Sequence, residues 1–151
     1  MFKVDKDKKI LIKKFDSNIF NFKRMITDRL SNKNILPKIK KKGLSNLHNF
    51  LSSHRVHLAY SEIYSEFRSK EFKKLYDRFC KQVIKDNNLN KNIKYQAIPS
   101  VRIHMPGMRS VNFHNDQLYG HGKDIINFWV PLTSVEKSNS LHIVDEENSI
   151  K

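Results

Sequence analysis

The chain contains one cysteine, Cys80, in 151 residues. A lone thiol excludes an internal disulfide and any metal site built from cysteines alone. It also makes a reducing cytoplasm the simplest expected compartment. Glycine and proline are sparse, at four each, and no repeat or low-complexity linker interrupts the chain. No run of 18 apolar residues occurs, so no membrane span is expected. The start, Met1-Phe2-Lys3-Val4-Asp5-Lys6, is charged at once and lacks the apolar core of a secretory signal, so none is expected. What is present is a globular composition. Hydrophobic residues make up 38% and aromatics 11%, too much for a disordered polymer. The length fits one domain, able to bury roughly 70% of its unfolded surface.

The formal net charge is +14, which first suggests a polyanionic partner. The distribution argues otherwise. Residues 1–94 hold 24 Lys and Arg against 9 Asp and Glu, a balance of +15, whereas residues 95–151 hold 5 against 6, a balance of −1. The excess is lysine, 22 against 7 Arg, with 15 Asn beside it. Arginine, which makes the bidentate base contacts, is the scarce cation. Enrichment in Lys, Asn and Ile arises from an AT-rich genome without selection on function. A nucleic-acid or polyanion-binding module is therefore the alternative reading. A solvated basic surface is preferred, including for the densest runs, Lys6 to Lys9 and Lys38 to Lys42.

Residues 1–93 read as a mainly helical, basic lead-in. Ile10-Leu11-Ile12 fits a short strand. Asp16 or Ser17 is placed to cap a helix through Leu30, with Ile19, Phe22, Ile26 and Leu30 at helical spacing. Pro37 and Gly43 punctuate the stretch after Leu30. Val56, Ala59, Ile63, Phe67 and then Phe72, Leu75, Tyr76, Phe79, Val83 predict helix over 55–85, packed on a core, with a break near Ser69. Cys80 reads as a buried structural thiol rather than a nucleophile. From residue 94 the texture changes to β-rich pieces between turn signals: Tyr95 to His104, Ser110 to His114, Asp124 to Leu132 and Leu141 to Val144. Short strands at such intervals predict a barrel or double-sheet domain.

The chemistry-bearing stretch is His114-Asn115-Asp116. In an extended chain residues two apart face the same side, so one imidazole and one carboxylate can address one ion. With a third ligand this is the 2-His-1-carboxylate set of non-haem Fe(II) oxygenases. Its surroundings carry a resemblance. The relevant segments are Ile98-Pro-Ser-Val-Arg-Ile-His-Met-Pro-Gly107, Phe113-His-Asn-Asp-Gln-Leu-Tyr-Gly-His121, Ile126-Asn-Phe-Trp-Val-Pro-Leu-Thr133 and Asn139-Ser-Leu141. Together with the helix Tyr64 to Tyr76, they resemble the Fe(II)/2-oxoglutarate-dependent oxygenases related to phytanoyl-CoA dioxygenase. Within these the resemblance is closest to the branch found in streptomycin-type antibiotic and sporadic carbohydrate biosynthesis clusters, and it covers roughly residues 55–148.

The resemblance implies an α+β fold, N-terminal helices followed by a double-stranded β-helix (jelly roll) over residues 94–151. It implies Fe(II) on His114 and Asp116, with 2-oxoglutarate and O₂ as co-substrates, and hydrogen abstraction from a C–H bond of a small sugar-like or secondary-metabolite substrate. The metal would do the hard step while the protein orients and excludes side reactions. Asn127 and Trp129 lie two apart and share a face if extended; Asn127 would donate to 2-oxoglutarate and Trp129 would wall the pocket. Trp129 reads equally well as a core aromatic. Arg102, on one face with Ser100 and His104, would meet a carboxylate, or lie on the surface, a slightly preferred reading. His121 suits substrate orientation or a place behind the metal ligands, and His142 is a weak candidate for the third ligand. His48, His54 and His57 read as ordinary polar positions.

The family's distal iron-binding His, and the residue that anchors the far carboxylate of 2-oxoglutarate, lie on later strands than this chain contains. Three explanations compete: a truncated or split reading frame, which is preferred, completion by a partner chain, or a decayed enzyme. Half a jelly roll exposes strand edges, which favours pairing with another chain or an oligomer.

Overall fold

A computed structural model describes residues 4–5, 10–90, 92–107, 125–136 and 140–141. Two dipeptides near the N-terminus, β1 (Val4–Asp5) and β2 (Ile10–Leu11), pair antiparallel with Val4 opposite Leu11. The remaining regular structure is helical: α1 (Phe22–Asn32), α2 (Ile39–Lys42), α3 (Val56–Phe67) and α4 (Lys70–Asp86), with 3₁₀ turns at Leu44–Asn49 and Ser53–Arg55.

Each helix begins and ends for a local reason. Asp16 does not cap α1. Its carboxylate accepts from the backbone N–H groups of Asn18 at 2.8 Å and Ile19 at 3.3 Å, closing a separate turn. Asn21 is the cap, its Oδ1 accepting from the Arg24 N–H at 3.1 Å. Ile19 therefore precedes the helix and is exposed, whereas Phe22, Ile26 and Leu30 are buried one turn apart. Ser69 separates α3 from α4. Its Oγ accepts from the Phe72 N–H at 3.1 Å, satisfying an otherwise orphaned donor. Gly43 ends α2 at φ 78°, ψ 158°, a conformation essentially reserved for glycine. Asn88 ends α4 at φ 51°. The Leu89 N–H reaches the Ile84 carbonyl and the Asn88 N–H reaches that of Lys85, the paired bonds of a Schellman ending, and Ile84 and Leu89 supply its usual apolar pair.

The core lies where α1 and α3 cross and α4 folds back. Leu30, Ile39 and Ala59 are fully enclosed, with Ile26, Ile63 and Phe67 nearly so. Phe22 meets Phe72 at 5.5 Å and Phe79 edge-on at 5.2 Å, bringing the start of α1 against α4. Arg29 fastens α1 to α3. Its Nε lies 2.7 Å from Glu62 Oε2 and its Nη2 donates to Ser65 Oγ at 2.7 Å, in a pair about three-quarters shielded from solvent.

The C-terminal part does not form the expected sheet. None of the described residues at 94–107, 125–136 and 140–141 is in a strand, so the jelly roll implied by the resemblance is overturned and the fold is mostly helical. The physical reason is visible at residues 98–105. A period of two specifies an extended backbone, but a strand also needs a partner ladder. Here Ile98, Val101, Ile103 and Met105 turn inward onto the helical core while Arg102 and His104 face out. The backbone donors find tyrosines instead of a neighbouring strand. Val130 and Leu132 pack on the same core around an exposed Pro131. The Pro106-Gly107 turn, with Gly107 at φ 74°, fits the second and third positions of a type II turn.

Candidate functional site

The segment that carries Arg102 is held by phenol hydroxyls. The Ile103 N–H donates to Tyr60 Oη at 2.9 Å and the Val101 N–H donates to Tyr64 Oη at 3.4 Å. Tyr60 and Tyr64 are four apart on α3, about 6 Å along the axis. Val101 and Ile103 are two apart in an extended chain, about 6.6 Å. One helical turn thus matches one dipeptide repeat, and the segment runs antiparallel to α3.

A second tie lies at α4. The Tyr95 hydroxyl donates to Asp77 Oδ1, and Lys81 Nζ lies 2.8 Å from Asp77 Oδ2. Hydrogen bonds from Lys81 and Tyr95 hold the Asp77 carboxyl below its usual range. The Tyr95 hydroxyl is pushed up to about 12, first by its bond to Asp77 and then by burial. Tyr76, edge-on to Tyr95 at 6.3 Å, is raised by burial and by neighbouring Cys80. Burial likewise pushes the half-buried Cys80 thiol up, with Asp77 adding to it. The thiol is therefore protonated near neutral pH and the phenols are neutral. The cluster acts as a clasp between Tyr95 and α4.

Arg102 is exposed and its Nη1 donates to the adjacent Val101 carbonyl at 3.3 Å. Asn127 and Trp129 are both exposed, Trp129 at 44%, in a stretch where Ile125, Ile126 and Phe128 are exposed as well. The burial of these five residues shows no in–out alternation. His114 and Asp116, with His121 and His142, lie outside the described residues. Among the described residues no group of three or more His, Cys, Asp or Glu is placed to hold a metal ion, and no helix is long and apolar enough to cross a membrane.

The sequence reading missed the tyrosine ties. The signal available was the i, i+4 spacing of Tyr60 and Tyr64 on a face otherwise filled by apolar residues. The run at 38–42 is α2 together with its N-cap Lys38: its lysines are exposed and Ile39 is buried, and Lys40 Nζ reaches Asp28 Oδ1 at 3.0 Å and Asn32 Oδ1 at 3.3 Å.

Compared with known proteins, the chain is 42% identical over 53 residues to the streptomycin biosynthesis protein StrG of Streptomyces griseus. The match covers 34% of this chain and 26% of that protein, so the chain spans about a quarter of the curated relative. No protein family model matches the chain. No solved structure matches it.

Proposed function

We propose that this chain belongs to a biosynthetic enzyme, an Fe(II)/2-oxoglutarate-dependent oxygenase that acts on a small sugar-like or secondary-metabolite substrate. The observation that carries the reading is the local identity to a protein named for streptomycin biosynthesis, combined with the His114-Asn115-Asp116 spacing. The donor chemistry suits ferrous iron: one imidazole and one carboxylate are two of the three ligands of the 2-His-1-carboxylate set. When bound, the metal supplies the oxidative step that a protein side chain cannot. His114 and Asp116 would hold it, Asp116 offsetting part of its charge. Arg102, with a guanidinium open to solvent, is suited to fork onto a carboxylate, and Asn127 and Trp129 approach the same co-substrate. The clasp of Tyr60, Tyr64 and Tyr95 positions the segment that leads to the metal pair.

The polyanion-binding alternative is weaker. Within its densest lysine run, Lys40 is already engaged with Asp28, and arginine is scarce.

Anaerobic calorimetry with Fe(II) in the presence of 2-oxoglutarate tests the proposal. Saturable binding is expected, weakened at least about tenfold in both His114→Ala and Asp116→Ala. Absence of metal binding by the wild-type chain, or variants that bind Fe(II) as tightly as the wild type, rules the reading out.

A further inference from the structure

A cavity of about 620 Å³ opens beside the C-terminal end of α4, within the size range of small-molecule sites. Its walls come from an element boundary and not from a gap in the core. The Schellman ending brings Ile84 and Leu89 together, and the chain then returns so that Ile93 and the Tyr95 ring complete an apolar wall. Lys81 and Lys85, one helical turn apart, also line the cavity. Lys81 gives one donor to Asp77 at 2.8 Å, but an ammonium carries three. Lys85 has no acidic partner among the described residues. The negative end of the α4 dipole is itself covered, since Lys13 Nζ donates to the Asp86 carbonyl at 2.8 Å. The Asp86 carboxylate accepts from Gln82 Nε2 at 2.7 Å.

A cavity lined by an apolar wall and by two lysines one turn apart is complementary to one kind of small molecule. We propose that this cavity binds an organic anion with an apolar body and a single terminal carboxylate. The body lies on Ile84, Leu89, Ile93 and the Tyr95 ring, and the carboxylate bridges Lys81 and Lys85. The site uses neither residue of the metal pair and does not depend on the proposed oxygenase chemistry.

The test is an amide-resonance titration of the full chain with octanoate, run without metal. Two controls separate the contributions: acetate has the charge without the body, and octylamine has the body with the opposite charge. Octanoate is expected to shift the Leu89 and Ile93 amides saturably at about millimolar concentration, and neither control should do so. The double variant Lys81→Gln/Lys85→Gln, which alters only exposed side chains, is expected to weaken octanoate about fivefold or more. Ile93→Ser is expected to weaken it as well, with helical circular dichroism confirming the fold. The proposal is overturned if octanoate gives no saturable shift, if octylamine binds as tightly, or if the lysine variant binds octanoate unchanged.

Discussion

The helical part, residues 20–90, and the part without helix, residues 94–107 and 125–136, solve the same problem by different means. Both must pair backbone donors while burying apolar side chains. In the helices the hydrogen bonds are internal, so each element needs only a cap and an apolar stripe: Asn21 and Ser69 start α1 and α4, and Asn88 ends α4. The segment around Val101 and Ile103 is in no helix or strand ladder. It borrows partners from α3 through Tyr60 and Tyr64 and is pinned to α4 through Tyr95 and Asp77. The helical part therefore sets the fold, and the part without helix is a dependent layer whose position is set by a few side chains.

If that comparison is right, core truncation in the helices has the largest effect. Leu30→Ala, at a fully enclosed position between α1 and α3, is expected to cost about 2–5 kcal/mol in denaturant unfolding. A change below about 1 kcal/mol would place the structural core elsewhere.

Gly43→Ala tests whether the α2 ending is fixed by backbone geometry alone. An added Cβ meets nothing within 4 Å, so the expected loss of about 1–3 kcal/mol comes from the φ and ψ values themselves. An unchanged melting temperature would show that this ending relaxes freely.

The smallest effect is expected at the clasp in alkali. Tyr95 is raised from 10.0 to about 12 in the folded chain. Unfolded chains then carry fewer protons than folded ones between these values, so this contribution to stability is present below about pH 10 and is lost as pH rises toward 12. Spectrophotometric titration should show that Tyr95→Phe removes one late-ionising phenol. The same number of late phenols in the variant would remove the Tyr95–Asp77 tie.

The asymmetry also explains what the sequence revealed. The apolar spacing of Val56, Ala59, Ile63 and Phe67, and the break at Ser69, was legible because a helix is satisfied by residues close in sequence. The start of α1 was less so: Asp16 and Asn21 are both competent caps, and only packing shows that Phe22, not Ile19, begins the buried stripe. The alternation of Val101, Arg102, Ile103 and His104 is matched by alternating burial, but not by a strand. The jelly roll was a wrong expectation because alternation does not say what the backbone pairs with. Two tyrosine hydroxyls on a helix satisfy the same two donors that a neighbouring strand would. For the candidate site, the chemistry of His114-Asn115-Asp116 is readable as donor types and spacing. The roles of Asn127 and Trp129 turn on which way their shared face points, which spacing alone does not specify; both side chains are exposed.

The most direct measurement is amide hydrogen exchange at Ile103 and Val101 in the wild-type chain and in Tyr60→Phe. The substitution removes one acceptor, worth about 1 kcal/mol, so exchange at Ile103 should quicken about fivefold while amides within α1, α3 and α4 keep their protection. Ile103 protection unchanged by the loss of the Tyr60 hydroxyl would contradict the account, because the segment would then be held by a backbone partner and not by the helix beneath it.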